Sequence, residues 1–445
     1  MKTPDLNWPR VAVVGSGISG LVAAHGLKDH ARVTLFEAGD YFGGHTHTVD
    51  VTLPGADGQP VRHGVDTGFL VFNQKTYPGL IALFEDLKVD IARSDMSFSV
   101  QVPRAFGPHA LEWNGADLDS VFAQRANLLR PRFWRMLADI LRFNRLATEL
   151  AMAGQDSALM MPLEDFLQKH RFGEVFRDWY LLPMLACIWS CPTDQMLRFP
   201  VATMVRFCHN HGLIQVNDRP QWLTVRGGAR HYVEKIIATL SDARLRSPVT
   251  RIVRDPQGVW IHTPGGSERF DEVVLATHSD QALALLADPG VAEREILGAI
   301  GYHPNHAVLH TDVSVMPQRP KAWAAWNYER APIGTQDSSN HVCLHYWLNR
   351  LQPLPFQSPV FVSLNPLRPI RPECVLQEFH YSHPVFDLAA MAAQARVGEL
   401  QGHQRTWYAG AWMGYGFHED GLKAGQSVVR AWLAKHQTTR TGAAA

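Results

Sequence analysis

The segment Gly15-Ser-Gly17-Ile-Ser-Gly20 places three glycines at the spacing that cradles the pyrophosphate of a dinucleotide. Gly15 suits a tight bend, Gly17 leaves room for a phosphate against the backbone, and Gly20 lets the following helix approach its strand. Ile18 and Ser19 open that helix, whose free N–H groups and partial positive charge face the phosphates. Glu37 stands at the end of the next apolar run, about 20 residues on, where a carboxylate accepts hydrogen bonds from a ribose. Such residues need a strand before the turn and another before Glu37. Residues 11–14 and 32–36 read as those strands, and residues 18–27 as the helix between them. The chemistry so far is dinucleotide binding, with NAD and FAD both open.

The next residues separate the two by resemblance. Glu37-Ala-Gly-Asp-Tyr-Phe-Gly43-Gly44 resembles the Glu-x5-Gly-Gly segment of the flavin-dependent amine oxidase superfamily, which also includes carotenoid desaturases. Further segments are similar to it in order: Val65-Asp66-Thr67-Gly68, Val225-Arg-Gly227-Gly228-Ala229, Pro248-Val249, Glu272-Val-Val-Leu-Ala276-Thr277 and the stretch from Tyr408 to Gly421. Gly43-Gly-His-Thr-His-Thr48 and Gly414-Tyr-Gly-Phe-His-Glu-Asp-Gly421 more narrowly resemble a bacterial subfamily of FAD/NAD-binding, amine-oxidase-like proteins associated with fatty-acid-modifying enzymes.

The resemblance implies one bound FAD. It implies contacts from Gly15, Gly17, Ile18, Ser19, Gly20, Glu37 and Ala38 around the first turn, and from Gly43, Gly44, His45 and Thr46 after it. Asp66, Gly68, Val249, Ala276 and Thr277 are implied in the middle of the chain. Near the C-terminal end the same reading takes in Gly410, Gly416, Phe417, His418, Glu419, Asp420 and Gly421. Two positions depart from the family pattern. His45 stands where most relatives have Arg, and Ala411 where they have an acidic residue, which leaves ribityl or phosphate contacts to Glu419 or Asp420.

The family's amine oxidases also carry a Lys that holds water at flavin N5. The comparable strand here, Pro304-Asn-His306-Ala-Val-Leu-His310, has none, which counts against oxygen-using amine oxidation. His306 becomes the candidate acid/base, with a purely structural histidine as the other reading. The implied function is hydride transfer from a substrate carbon to the flavin, with an apolar lipid or fatty-acyl chain as substrate. An amine oxidase, a double-bond isomerase and a non-catalytic flavoprotein are the alternatives.

The elements that position these residues suggest an α/β fold: a Rossmann-like FAD-binding lobe and an interleaved α+β substrate lobe. Residues 1–75, 215–290 and 404–437 are expected to build the FAD lobe. A helical insertion within 76–214 and a mainly antiparallel sheet within 291–403 are expected to build the other, and the polar tail 438–445 to be disordered. Lys+Arg and Asp+Glu balance at 42 each, so no overall field favours nucleic acid. The five cysteines (Cys187, Cys191, Cys208, Cys343 and Cys374) form no CxxC pair, so neither a disulfide framework nor a metal site is expected. That usage predicts a reducing, cytoplasmic setting.

No apolar run reaches the roughly 18 residues of a membrane span. One segment leaves peripheral membrane contact open. Between Arg125 and Arg145, Arg132, Arg135, Asp139 and Arg142 share one helical face, and Phe133, Leu137, Ile140 and Leu141 much of another. This is either a helix packed on the substrate lobe with a solvated basic face, or a helix lying on a membrane surface.

Overall fold

The computed structural model describes residues 7–153, 159–190, 192–215, 220–331 and 342–442. Its first layer is a five-stranded parallel sheet in the order Ala243–Arg244, Arg32–Phe36, Arg10–Val14, Glu272–Leu275, Thr406–Tyr408. Both faces are covered. Val11 and Val13 join one apolar core, while Ala12 and Val14 join another on the opposite side. That explains why these strands read as continuous apolar runs rather than alternating ones.

The helix Ile18–Leu27 covers one face, with eight of its residues buried. It is sandwiched by the long closing helix His418–Gly442. A Cβ at Gly26 would come within 2.8 Å of Val429, and one at Gly421 within 2.6 Å of Ile18, so glycines let the two helices approach closely. Gly421 therefore belongs to a helix crossing, not to the cofactor contacts expected of it. The backbone of this helix also continues past Thr438, where disorder is expected.

The second layer is a seven-stranded sheet in the order Val375–Val385, Gly301–His310, Phe361–Leu364, Cys343–Trp347, Trp326–Glu329, Phe98–Phe106, His109–Asn114. It is antiparallel except where Trp326–Glu329 runs parallel to Phe98–Phe106. A small sheet of Phe72–Asn73, Trp222–Val225 and Ile91–Ser94 ties the two layers together along the chain.

The helical insertion expected within 76–214 is built in pieces. A short turn Leu118–Val121 and a 3-10 turn Arg125–Leu129 precede the helix Pro131–Ala153, which starts at a proline as helices readily do. Further on, one π-helical turn, Arg177–Leu181, leads into the apolar helix Leu182–Trp189. Among the described residues, no helix is long and apolar enough to cross a membrane.

Candidate active site

An elongated cavity of about 780 Å³ runs between the two large sheets. One end is built at the edge of the parallel sheet. Gly15 has a φ of +98°, and a Cβ there would sit 2.6 Å from the Ala276 carbonyl oxygen, so only glycine makes this bend. Glu37 accepts hydrogen bonds from the Ser16 N–H (3.0 Å), the Ser16 hydroxyl and the Gly39 N–H (2.8 Å). It thus clamps the turn while retaining one lone pair, on Oε1, for a ribose. Gly44 has a φ of +58°, and a Cβ there would lie 3.1 Å from the Gly17 Cα, which brings the glycine pair against the first turn.

Of the sequence-predicted residues, Gly15, Gly17, Ile18, Ser19, Glu37, Ala38, Gly43, Gly44, His45 and Gly68 line this cavity. Val249, Ala276, Thr277, Gly410, Gly416, Phe417 and His418 also line it. Gly20 does not: a Cβ there would overlap the Gly15 carbonyl, so its role is helix–strand packing.

Four further expectations are corrected. Thr46 lies behind the wall, its hydroxyl 2.6 Å from the Tyr232 hydroxyl, which in turn lies 2.7 Å from Nε2 of His418. Asp66 is buried behind the site. It accepts from the Ala229 N–H at 2.9 Å and from the Gln352 amide at 2.7 Å, tying the Gly227-Gly228 turn to the hairpin strand Pro60–Asp66. Burial pushes its carboxyl up to about 6. Glu419 accepts from the N–H groups of Gly79 and Leu80, both at 3.0 Å, and so caps the helix Pro78–Asp86. Asp420 accepts from the N–H groups of Tyr415 (3.1 Å) and Phe417 (3.0 Å), closing its own loop. None of the four lines the cavity.

His306 is also corrected. Strand alternation buries Asn305 and Ala307 and turns His306 outward, where Nε2 lies 2.7 Å from a Glu378 carboxylate oxygen, with 39% of its side chain exposed. The neighbour Asn305 lies behind the wall and acts on the site through His383. The backbone N–H of His306 donates to Oδ1 of Asn365 (2.8 Å), whose Nδ2 donates to Oδ1 of Asn305 (2.7 Å). Nδ2 of Asn305 is thereby aimed at Nδ1 of His383, 2.9 Å away. Nδ1 must accept, so the proton of His383 sits on Nε2, and His383 lines the cavity. Burial lowers His383 to about 3, so it stays neutral.

His383 belongs to a ring cluster the sequence reading missed. The His45 ring lies 5.2 Å from Tyr381 and 5.3 Å from His383, and His278 stacks on Tyr302 at 4.4 Å. The available signal was the period-two run Phe379, Tyr381, His383 in the strand Val375–Val385.

Three observations fit FAD. A Cβ at Gly17 would meet nothing within 4 Å, so the space beside the turn is open. Nε2 of His45 is buried in the wall without a partner, and burial lowers this imidazole to about 4. Among the described residues no Lys or Arg lines the cavity. Backbone N–H groups and the N-terminus of the helix Ile18–Leu27 would hold the phosphates, since they favour an anion without a basic side chain.

Glu329, Cys343 and His345 bring donor atoms together on the sheet face opposite Tyr346 and Leu364. Arg368 occupies the Glu329 carboxylate, at 3.3 and 3.2 Å, so the cluster is read as a closed structural network. Cys187 lines the cavity and Cys208 is buried near it, both free, while Cys191 lies outside the described residues.

The sequence matches the flavin containing amine oxidoreductase family profile over residues 18–340. No curated protein matches the chain. Among solved structures, cyclohexylamine oxidase from Brevibacterium oxydans IH-35A aligns with a TM-score of 0.67 and 18% identity, covering 98% of this chain and 100% of that one. A CLA-producing fatty acid isomerase from P. acnes aligns with a TM-score of 0.66 and 18% identity, covering 96% and 99%. Putrescine oxidase bound to putrescine aligns with a TM-score of 0.66 and 14% identity, also covering 96% and 99%. With more than half of its length matched by the family profile and a cavity that fits FAD, the chain belongs to the flavin-containing amine oxidoreductase family and is an FAD-dependent oxidoreductase.

Proposed function

We propose that the protein oxidises an apolar acyl chain to an alkene, with hydride and a proton leaving neighbouring substrate carbons for bound FAD, which would carry both away. The observation that carries this reading is the charge of the wall. Glu37, at the ribose end, is the only carboxylate among the described residues lining the cavity, and no Lys or Arg lines it. Beyond the ring cluster the wall is mostly apolar, with Met184, Ile188, Phe207, Leu213, Trp326 and Leu364, interrupted by Ser190, His211 and Tyr346. A diamine or other cationic substrate would bury its charge there without a carboxylate partner, at a cost of several kcal/mol. An acyl chain gains about 0.8 kcal/mol per buried methylene in the same place.

Bound flavin supplies the hydride acceptor. The chain's own residues exclude water from the reacting carbon, and Nε2–H of His383 is among the neutral polar groups of the wall. Among the described residues no Lys lines the cavity to hold the N5 water expected of an amine oxidase. A relative of the same fold is named a fatty acid isomerase, which supports a fatty-acyl chain as the occupant.

The reading is tested by comparing total lipid extracts of cells with and without the gene, matched for growth. A rise in the number of acyl double bonds is expected, whereas a change in their position alone would point to an isomerase. Identical acyl profiles, with a change confined to amines, would overturn it.

A further inference from the structure

Large apolar side chains exposed to water are unevenly spread over this protein. More than half of those among the described residues fall between Leu118 and Met160. Leu129 is 87% exposed, Leu141 58% and Trp134 49%. The sequence suggested Phe133 and Leu141 for one apolar face of the helix; the structure buries Phe133, with Met136 and Phe143, but leaves Leu141 outside.

These side chains adjoin one another. Nε1–H of Trp134 donates to the Leu128 carbonyl at 2.9 Å, and the Trp134 ring lies 5.3 Å from that of Phe122. The 3-10 turn carrying Leu128 and Leu129 is thus held beside the first turn of the helix Pro131–Ala153. Along that helix Trp134, Ala138, Leu141 and Arg145 follow at steps of four, three and four, a single exposed stripe. Arg135 is exposed beside Trp134, and so is Arg132, whose guanidinium also lies over the Trp179 ring. Of the nearby carboxylates, Asp119 pairs with Arg125 and Lys321 and Asp139 with Arg142, while Glu149 stands exposed one turn past Arg145, at the far end of the stripe.

We propose that this face docks on an anionic lipid bilayer, with Leu128, Leu129, Trp134 and Leu141 entering the acyl boundary and Arg132, Arg135 and Arg145 meeting headgroup phosphates. Charge complementarity selects this occupant. A second copy of the chain would set arginine against arginine, whereas an anionic headgroup layer neutralises them. Arginine stems also lie along apolar surface while their heads stay in water. The inference rests on the surface alone and holds whatever substrate the cavity takes.

The test uses the FAD-loaded full chain, sedimented with vesicles of phosphatidylcholine alone or of equal parts phosphatidylcholine and phosphatidylglycerol. The protein is expected to pellet with the anionic vesicles and to be released as salt rises. Arg135→Gln with Arg145→Gln should weaken binding about thirtyfold, and Leu129→Ser with Leu141→Ser should abolish it, with flavin absorbance unchanged in both. Hydrogen exchange of the wild-type protein should slow over residues 125–145 when anionic vesicles are added. Equal pelleting with neutral vesicles, full binding by either variant, no pelleting at all, or a salt-stable dimer closed by the same leucines would each overturn the proposal.

Discussion

The side-chain amide of Asn305 donates to Nδ1 of His383 at 2.9 Å and thereby places that imidazole's proton on Nε2, at the cavity wall. The relay begins at a backbone N–H and passes through Asn365, so each amide has one orientation that satisfies its partners. A long-range 1H–15N spectrum of histidine-labelled protein should report the Nε2–H tautomer. Asn305→Asp offers Nδ1 only an acceptor, so it should move the proton to Nδ1 and slow flavin reduction by roughly ten- to a hundredfold, the worth of one hydrogen bond to a reacting group. An unchanged tautomer in that variant would break the relay argument.

Gly17 and Gly20 should part company on substitution. A Cβ at Gly17 meets no protein atom within 4 Å, so Gly17→Leu should fold and melt much as wild type does, yet fail to load FAD. A Cβ at Gly20 overlaps the Gly15 carbonyl, so Gly20→Ala should lower the melting temperature of the apoprotein itself. Full flavin absorbance in Gly17→Leu would remove the pyrophosphate from this turn.

Glu37→Gln should weaken FAD binding about ten- to a hundredfold, since charge-assisted hydrogen bonds contribute about 1.5–3 kcal/mol. The three donors that Glu37 already accepts make the loss partly one of turn geometry, so the apoprotein should also melt earlier. Titration of apoprotein with FAD, followed by quenching of flavin fluorescence, measures the first effect and calorimetry the second.

The cradle was legible in the sequence because its parts are local. A turn that admits only glycine and a carboxylate at the next strand end are fixed by spacing within one βαβ unit, and the structure puts Gly15, Gly17 and Glu37 together as expected. The far wall was not legible in this way, because strand register sets it. Asn305 pairs with Tyr381 and His306 with His380, and a shift of one residue in that alternation separates an inward asparagine from an outward histidine. Glu419 and Asp420 misled for a different reason. Acidic residues at the first turn of a helix serve equally well to cap backbone N–H groups, which is what both do here.

Acid should destabilise the protein. Burial lowers His45 and His211 to about 4, and His310, His383 and His418 to about 3. The unfolded chain takes up those protons near its ordinary 6.5, so stability falls as pH drops from about 6.5 toward 4. Asp66 and Asp420, raised to about 6 by burial, bind protons in the folded state over part of that window and act in the opposite direction. The histidines outnumber them, so the melting temperature of the apoprotein should decline steadily below about pH 6.5. A rising melting temperature over that range would mean the imidazoles are hydrated.

The central claim, that this flavin takes hydride from an acyl chain rather than an amine, is tested most directly by anaerobic mixing of the FAD-loaded enzyme with each class of substrate. Phospholipids or fatty acids bearing a double bond should bleach the flavin absorbance, whereas cyclohexylamine and putrescine should leave it unchanged. Rapid bleaching by either amine, with peroxide formed once air is admitted, and no response to any acyl chain, would contradict the account.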